Sequence, residues 1–289
     1  MRNIKVIHGY FVLPPHPPSS LQRGQKGFTL IELSIVLLII ALIIGGIVSG
    51  QSMIRNAQLQ SVITDADRYK KAVMAFRDKY RELPGDMVDA TSFWGTDPGG
   101  CPSTPANATP KTATCNGNGD GFIGDSNGNP LGGAVNWYES YRIWQHLSNA
   151  GFLEGEYTGA LSSRTSGNMP DPGMNIPQSE IKSNGFTLLY AAPSAGSSGI
   201  FPANYRHILV YGAPVSAKAS TYNPGLTTAD TLLIDQKVDD GLPGTGNIIS
   251  FTSALAATPN CATGTAPSTA TYKTSDTGVD CSLIFITGF

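Results

Sequence analysis

The sequence predicts an α+β fold: a long N-terminal α-helix packed on an antiparallel β-sheet domain with loop-rich insertions. Three observations lead there. Residues 28–50 are dominated by apolar side chains and carry one charged residue, Glu32. Residues 51–82 continue them with a helical period. The rest is rich in Gly, Pro, Ser, Thr and Asn and carries four short β-prone runs.

The segment before the helix, residues 1–27, holds Arg2, Lys5, Arg23 and Lys26 and no Asp or Glu. A basic flank ahead of an apolar run keeps that flank cytoplasmic, so the bulk of the chain is exported. The whole chain has 19 basic and 21 acidic residues, net charge −2. That balance argues against a nucleic-acid partner, which demands a basic face.

The stretch 28–50 spans about 34 Å as a helix, enough to cross a bilayer. A secretory signal would be shorter and end at a small-residue cleavage site. This run passes instead into more helix. Glu32 stands alone in it. A carboxylate in hydrocarbon costs several kcal/mol unless it finds a partner, so Glu32 reads as a functional position. Gly45, Gly46 and Gly50 each cost about 1 kcal/mol of helix propensity. They either permit close helix packing or are ordinary membrane-helix glycines.

In residues 51–82, Val62, Ala66, Tyr69, Val73, Phe76 and Tyr80 form one apolar stripe at helical spacing. Asp65, Asp67, Arg68, Lys71, Arg77 and Asp78 lie opposite. Leu83-Pro84-Gly85-Asp86 stops the helix. The rod is about 80 Å long. Its amphipathic half packs on a globular domain, residues 83–289. Its bare half must be solvated by lipid or by copies of itself.

Residues 84–135 read as a loop-rich insertion. Within them, "CNGNGDGFIGDSNGN" places Asn116, Asn118 and Asp120 at alternate positions before Gly121, with Asp125 beyond. That spacing lets side chains converge on one hard cation, and calcium is the ion it would take. The alternative is a Gly/Asn turn with no ion, and no cofactor is required by anything else in the chain. Residues 136–159 read as a second helix, with Trp137, Tyr141 and Trp144 on one side. His146 and His207 have no companion residues for chemistry and read as packed or surface histidines. Strands are predicted at 185–192, 206–213, 247–254 and 281–289, with a short helix within 227–246. Asp239 and Asp240 read as its solvated end, with a second cation site as the alternative.

Four cysteines allow three connectivities. Local pairing, Cys101 with Cys115 and Cys261 with Cys281, would close loops otherwise short of core. The alternative is four free buried thiols. No nucleophile motif, metal triad or phosphate loop points to an enzyme.

The residues "KGFTLIELSIVLLIIALI" resemble the class III signal of type IV pilins and type II secretion pseudopilins: a Gly closing a basic leader, then Phe-Thr-Leu-Ile-Glu, then an apolar helix. The resemblance implies a pilin-like fold and a prepilin. A prepilin peptidase would cut after Gly27 and N-methylate Phe28. Glu32 would pair with the N-terminal ammonium of a neighbouring subunit. Partners would be the peptidase, other pilin subunits, an inner-membrane assembly platform, and lipid before assembly. The protein would sit in the inner membrane as a single pass and then in a periplasmic or cell-surface filament. The chain beyond the leader, 262 residues, is large for a major pilin and points toward a minor pilin, a pseudopilin or a tip adhesin. A tip adhesin or ligand-binding module is the alternative, and an anchored exported enzyme a more distant one. Some pseudopilins bind calcium in their globular domain.

Overall fold

A computed structural model describes residues 27–101, 112–124, 138–161, 169–191, 199–216, 218–252, 258 and 260–289. The chain divides into two units, Met1–Gln51 and Ser52–Phe289. Helix α1 runs unbroken from Leu30 to Tyr80.

In the first unit every large apolar side chain of α1, from Leu30 to Val48, is exposed. Among the described residues α1 is the one helix long and apolar enough to cross a membrane. The segment is uniformly apolar, so no face of it is distinguished for packing.

In the second unit the stripe residues Val62, Ala66, Tyr69, Val73 and Phe76 are buried, and Tyr80 is half-buried. Tyr69 meets Trp144 at 5.2 Å and Phe186 at 5.0 Å between ring centroids, both edge-on. One ring therefore joins α1 to α3 (Tyr138–Asn149) and to β1 (Gly185–Ala191). Edge-on pairs of this kind add about 1 kcal/mol beyond their buried area.

The main sheet is antiparallel, in the order β1, β2 (Arg206–Gly212), β6 (Leu283–Ile286), β4 (Ile248–Ser250). A second, two-stranded sheet pairs β3 (Leu226–Thr227) with β5 (Val279–Cys281). Period-2 alternation sorts the main sheet's side chains. Phe186, Leu188, Leu209, Tyr211, Ile248, Leu283 and Phe285 join the core that includes α1. Leu189, Ala191, Ile208, Val210, Ile249 and Ile284 form a second core on the other face, covered by Ile200, Tyr205, Tyr222 and Phe251. A sheet buried on both faces explains why "HILVY" is a continuous apolar run.

Several boundaries differ from the sequence expectations. The second helix is shorter than 136–159: Gly151, at φ +78°, follows its end, and Phe152–Gly155 turn back beneath it. Trp137 and part of the 84–135 insertion lie outside the described residues. The insertion contains helix α2 (Ala90–Trp94). Trp94 packs on Tyr80 at 5.7 Å and on His146 at 5.2 Å. The predicted strand at 281–289 divides into β5 and β6, with Ser282 between them. The short helix is α4, Thr228–Val238, capped by the Thr227 hydroxyl, which accepts from the Asp230 N–H at 3.1 Å. Arg55 of α1 is ion-paired with Asp230.

The disulfides join Cys101 to Cys115 and Cys261 to Cys281. The second closes a loop of sequence separation 20 and ties β5 to the segment before it. Its loss should free about 3 kcal/mol of denatured-chain entropy. Cys261→Ser/Cys281→Ser is expected to lower unfolding free energy by about that amount in denaturant titration, and an unchanged midpoint would count against it.

Arg81, at φ +64°, directly follows α1, and its N–H donates to the Arg77 carbonyl at 2.8 Å. This is the left-handed position where glycine is usual, and a Cβ there costs about 1 kcal/mol. Arg81→Gly should therefore raise the stability of the fold by roughly that amount, read as a higher melting temperature.

Candidate functional site

Two groups of residues are candidates for function, one in each unit. The first is the head of α1. Gly27, Phe28 and Thr29 precede the helix and are exposed, and nothing approaches the Cβ position of Gly27.

Glu32 is not bare. Its Oε2 accepts the Thr29 backbone N–H at 2.8 Å and the Thr29 hydroxyl at 2.8 Å. The Glu32 N–H donates to the Thr29 hydroxyl oxygen at 3.2 Å. This is a reciprocal capping box on the first turn of α1. The pattern Thr-Leu-Ile-Glu encodes it locally, since Thr and Glu fall at the cap and third helical positions. It satisfies orphan amides and gives the carboxylate a neutral partner within its own chain. Both bonds fall on one oxygen, and among the described residues no donor reaches Oε1.

The second group lies in the globular unit. Asp120, Asp86 and Glu139 bring carboxylate oxygens within 4.8 Å of one another. Of the neighbours proposed from spacing, Asn116 faces another element and Asn118 stays beside Asp120. The Asn116 Oδ1 accepts the Thr91 N–H at 2.9 Å, facing α2. Asn118 turns onto Asp120, accepting its N–H at 3.0 Å and donating to its Oδ2 at 2.9 Å. Asp125 lies outside the described residues. Asp86 and Glu139 come from the turn after α1 and from the first turn of α3, too far along the chain for a loop motif to reveal them.

The glycines explain the approach. Asp86 accepts the N–H of Gly119 at 2.7 Å and of Gly121 at 2.9 Å. A Cβ on Gly117 would meet the Asp86 backbone at 2.2 Å. Glu139 accepts the Gly124 N–H at 3.0 Å. Burial pushes the Glu139 carboxyl up to about 8, with Asp86 and Asp120 adding repulsion. The donor set is all oxygen and suits a hard cation such as calcium, which would take the place of the Glu139 proton. Beside it, the buried Arg142 Nη1 donates to the Asn116 carbonyl at 3.2 Å.

His146 is fully buried, and its Nδ1 accepts the Gly85 N–H at 3.0 Å. The proton is therefore on Nε2, which donates to the Thr114 hydroxyl at 3.0 Å. Burial first, and then the Arg142 charge, hold this histidine down to about 3. It is a neutral strut between the post-helix turn and the Cys115 loop. Asp239 accepts the N–H of Ile248 at 2.6 Å, and Asp240 accepts that of Leu242 at 2.9 Å, so both staple the loop after α4.

A carboxyl with a raised folded pKa stabilises the fold in its protonated form. For Glu139 that contribution is complete below about pH 4.5 and is lost as pH rises through about 8. In chelator, the wild type is expected to lose more than about 1 kcal/mol relative to Glu139→Gln between pH 5 and pH 9. Denaturant unfolding of both proteins across that range checks it, and parallel pH profiles would refute it.

Residues 22–48 match the family model described as the prokaryotic N-terminal methylation motif. No curated protein and no solved structure matches the chain.

Proposed function

We propose that this chain, with its methylation motif at the head of a long apolar helix, is an exported pilin-like prepilin that builds a type IV pilus or a type II secretion pseudopilus. The observation that carries the reading is the continuity of the motif, residues 22–48, with the fully exposed apolar half of α1. Prepilin peptidase cuts between Gly27 and Phe28 and methylates the new amine. The apolar half of α1 then anchors the subunit in the inner membrane, with the globular unit outside. At the assembly platform it exchanges lipid for the helices of other subunits.

Glu32 supplies register. In the membrane its carboxylate is held by Thr29 of its own chain. In the filament, Oε1 takes the methylated ammonium of a neighbouring Phe28. An ion pair in an apolar bundle repays its desolvation only in good geometry, so a mismatched subunit is penalised. The reading makes the chain a structural subunit, not a catalyst.

Intact mass of the full chain, expressed with and without a prepilin peptidase, tests the first step. Loss of residues 1–27 together with gain of one methyl group is expected only with the peptidase. An uncleaved chain, or one cut beyond Gly50, would sink the reading. Glu32→Leu is expected to stay in the membrane fraction and to drop out of sheared filaments. Its normal incorporation would remove the register role while leaving the processing step intact.

A further inference from the structure

The globular unit carries a cleft of about 840 Å³ that the filament reading does not use. Three arginines stand on it: Arg77 from α1, Arg81 just after it, and Arg206 at the start of β2. All three are exposed. The ion pairs among the described residues use Arg55, Arg68 and Lys70 instead. Two of the three cleft arginines, Arg81 and Arg206, sit at positive φ, +64° and +56°. The backbone is thus strained at both points where it presents a cation to the cleft.

The acids of the cleft are already engaged. Glu82 accepts the Val88 N–H at 2.8 Å, and Asp86 holds the amides of Gly119 and Gly121. Among the described residues, no hydrogen bond or ion pair engages the three cleft guanidinium groups.

The floor is aromatic. Phe122 and Tyr190 are half-buried, with ring centroids 4.3 Å apart, and Tyr190 meets His207 at 5.5 Å. His207 is fixed from both sides. Its Nε2 accepts the Ile123 N–H at 3.3 Å, and its Nδ1 donates to the Phe289 backbone oxygen at 3.1 Å. It is scaffold, and the open faces belong to Phe122 and Tyr190.

The volume suits a small ligand, since such sites run to several hundred cubic ångströms. Free guanidinium groups call for a carboxylate, which they grip in a planar fork. Flat rings beside them call for an apolar face on the same ligand. A long polyanion fits less well: Glu82 and Asp86 share the cleft, and the whole chain is net negative. We propose that the cleft binds a small carboxylate-bearing saccharide, its carboxylate on the arginine rim and its ring against Phe122 and Tyr190. The proposal is independent of filament assembly and holds or fails without it.

Isothermal titration of the full chain in detergent micelles tests it, with digalacturonate as the probe. Lactose, sodium sulfate and a short oligothymidylate serve as comparison ligands. Digalacturonate should bind one to one, and more tightly than any of the three. Arg81→Gly/Arg206→Gln and Tyr190→Ala should each weaken it at least about tenfold, while Lys182→Gln, outside the cleft, leaves it unchanged. Because Arg81→Gly relieves backbone strain, the melting temperature of the arginine variant separates lost binding from lost fold. Lactose or sulfate binding as tightly as digalacturonate would remove the combined carboxylate-and-ring requirement. Oligothymidylate binding in its place would make this a nucleic-acid site. No digalacturonate binding, or full binding by the arginine variant, would overturn the proposal outright.

Discussion

One constraint organises the molecule: a single helix has to serve two solvents. From Leu30 to Val48 every large apolar side chain of α1 is exposed, so that segment is stable only where something other than water surrounds it. From Leu59 onward the same helix buries one stripe and hydrates the other. The globular unit is built around that stripe. Tyr69 and Phe76 set where α3, β1 and α2 can sit, and the loops attach to those elements through polar contacts. The Gly-rich loop closes on Asp86, and the Cys115 loop closes on His146 through Thr114.

The parts that sequence made legible are those whose signal is local and periodic. The stripe from Val62 to Phe76 is readable because helical spacing repeats over several turns. The four main strands are readable because β-branched and aromatic runs stand between turn residues. β3 and β5, of two and three residues, are too short to show a period. α2 is a single turn held by packing of Trp94 against Tyr80 and His146, which no propensity announces. The capping box at Thr29 and Glu32 is encoded in the order of four residues, Thr-Leu-Ile-Glu.

The carboxylate group shows the complementary limit. Alternate spacing of Asn116, Asn118 and Asp120 pointed to convergence within one loop. The structure gathers Asp120 with Asp86 and Glu139, from two other elements, and sends Asn116 to an amide of α2. Spacing can identify a loop whose side chains face inward. Which distant elements face it is decided by tertiary packing. Arg77, Arg81 and Arg206 are likewise separated in sequence, and only the fold brings them to one cleft.

The strand order carries a consequence for how the chain is made. β6 follows the other three in sequence, yet it lies between β2 and β4. Until Leu283–Ile286 are in place, β2 and β4 each face an open slot rather than a neighbour. The sheet therefore closes only once β6 arrives, and until then the half-built domain carries two unpaired backbone edges. A nonsense codon after Asp280 would not trim a margin; it would remove the interior plank. Any factor that shields strand edges during biogenesis would act in this interval.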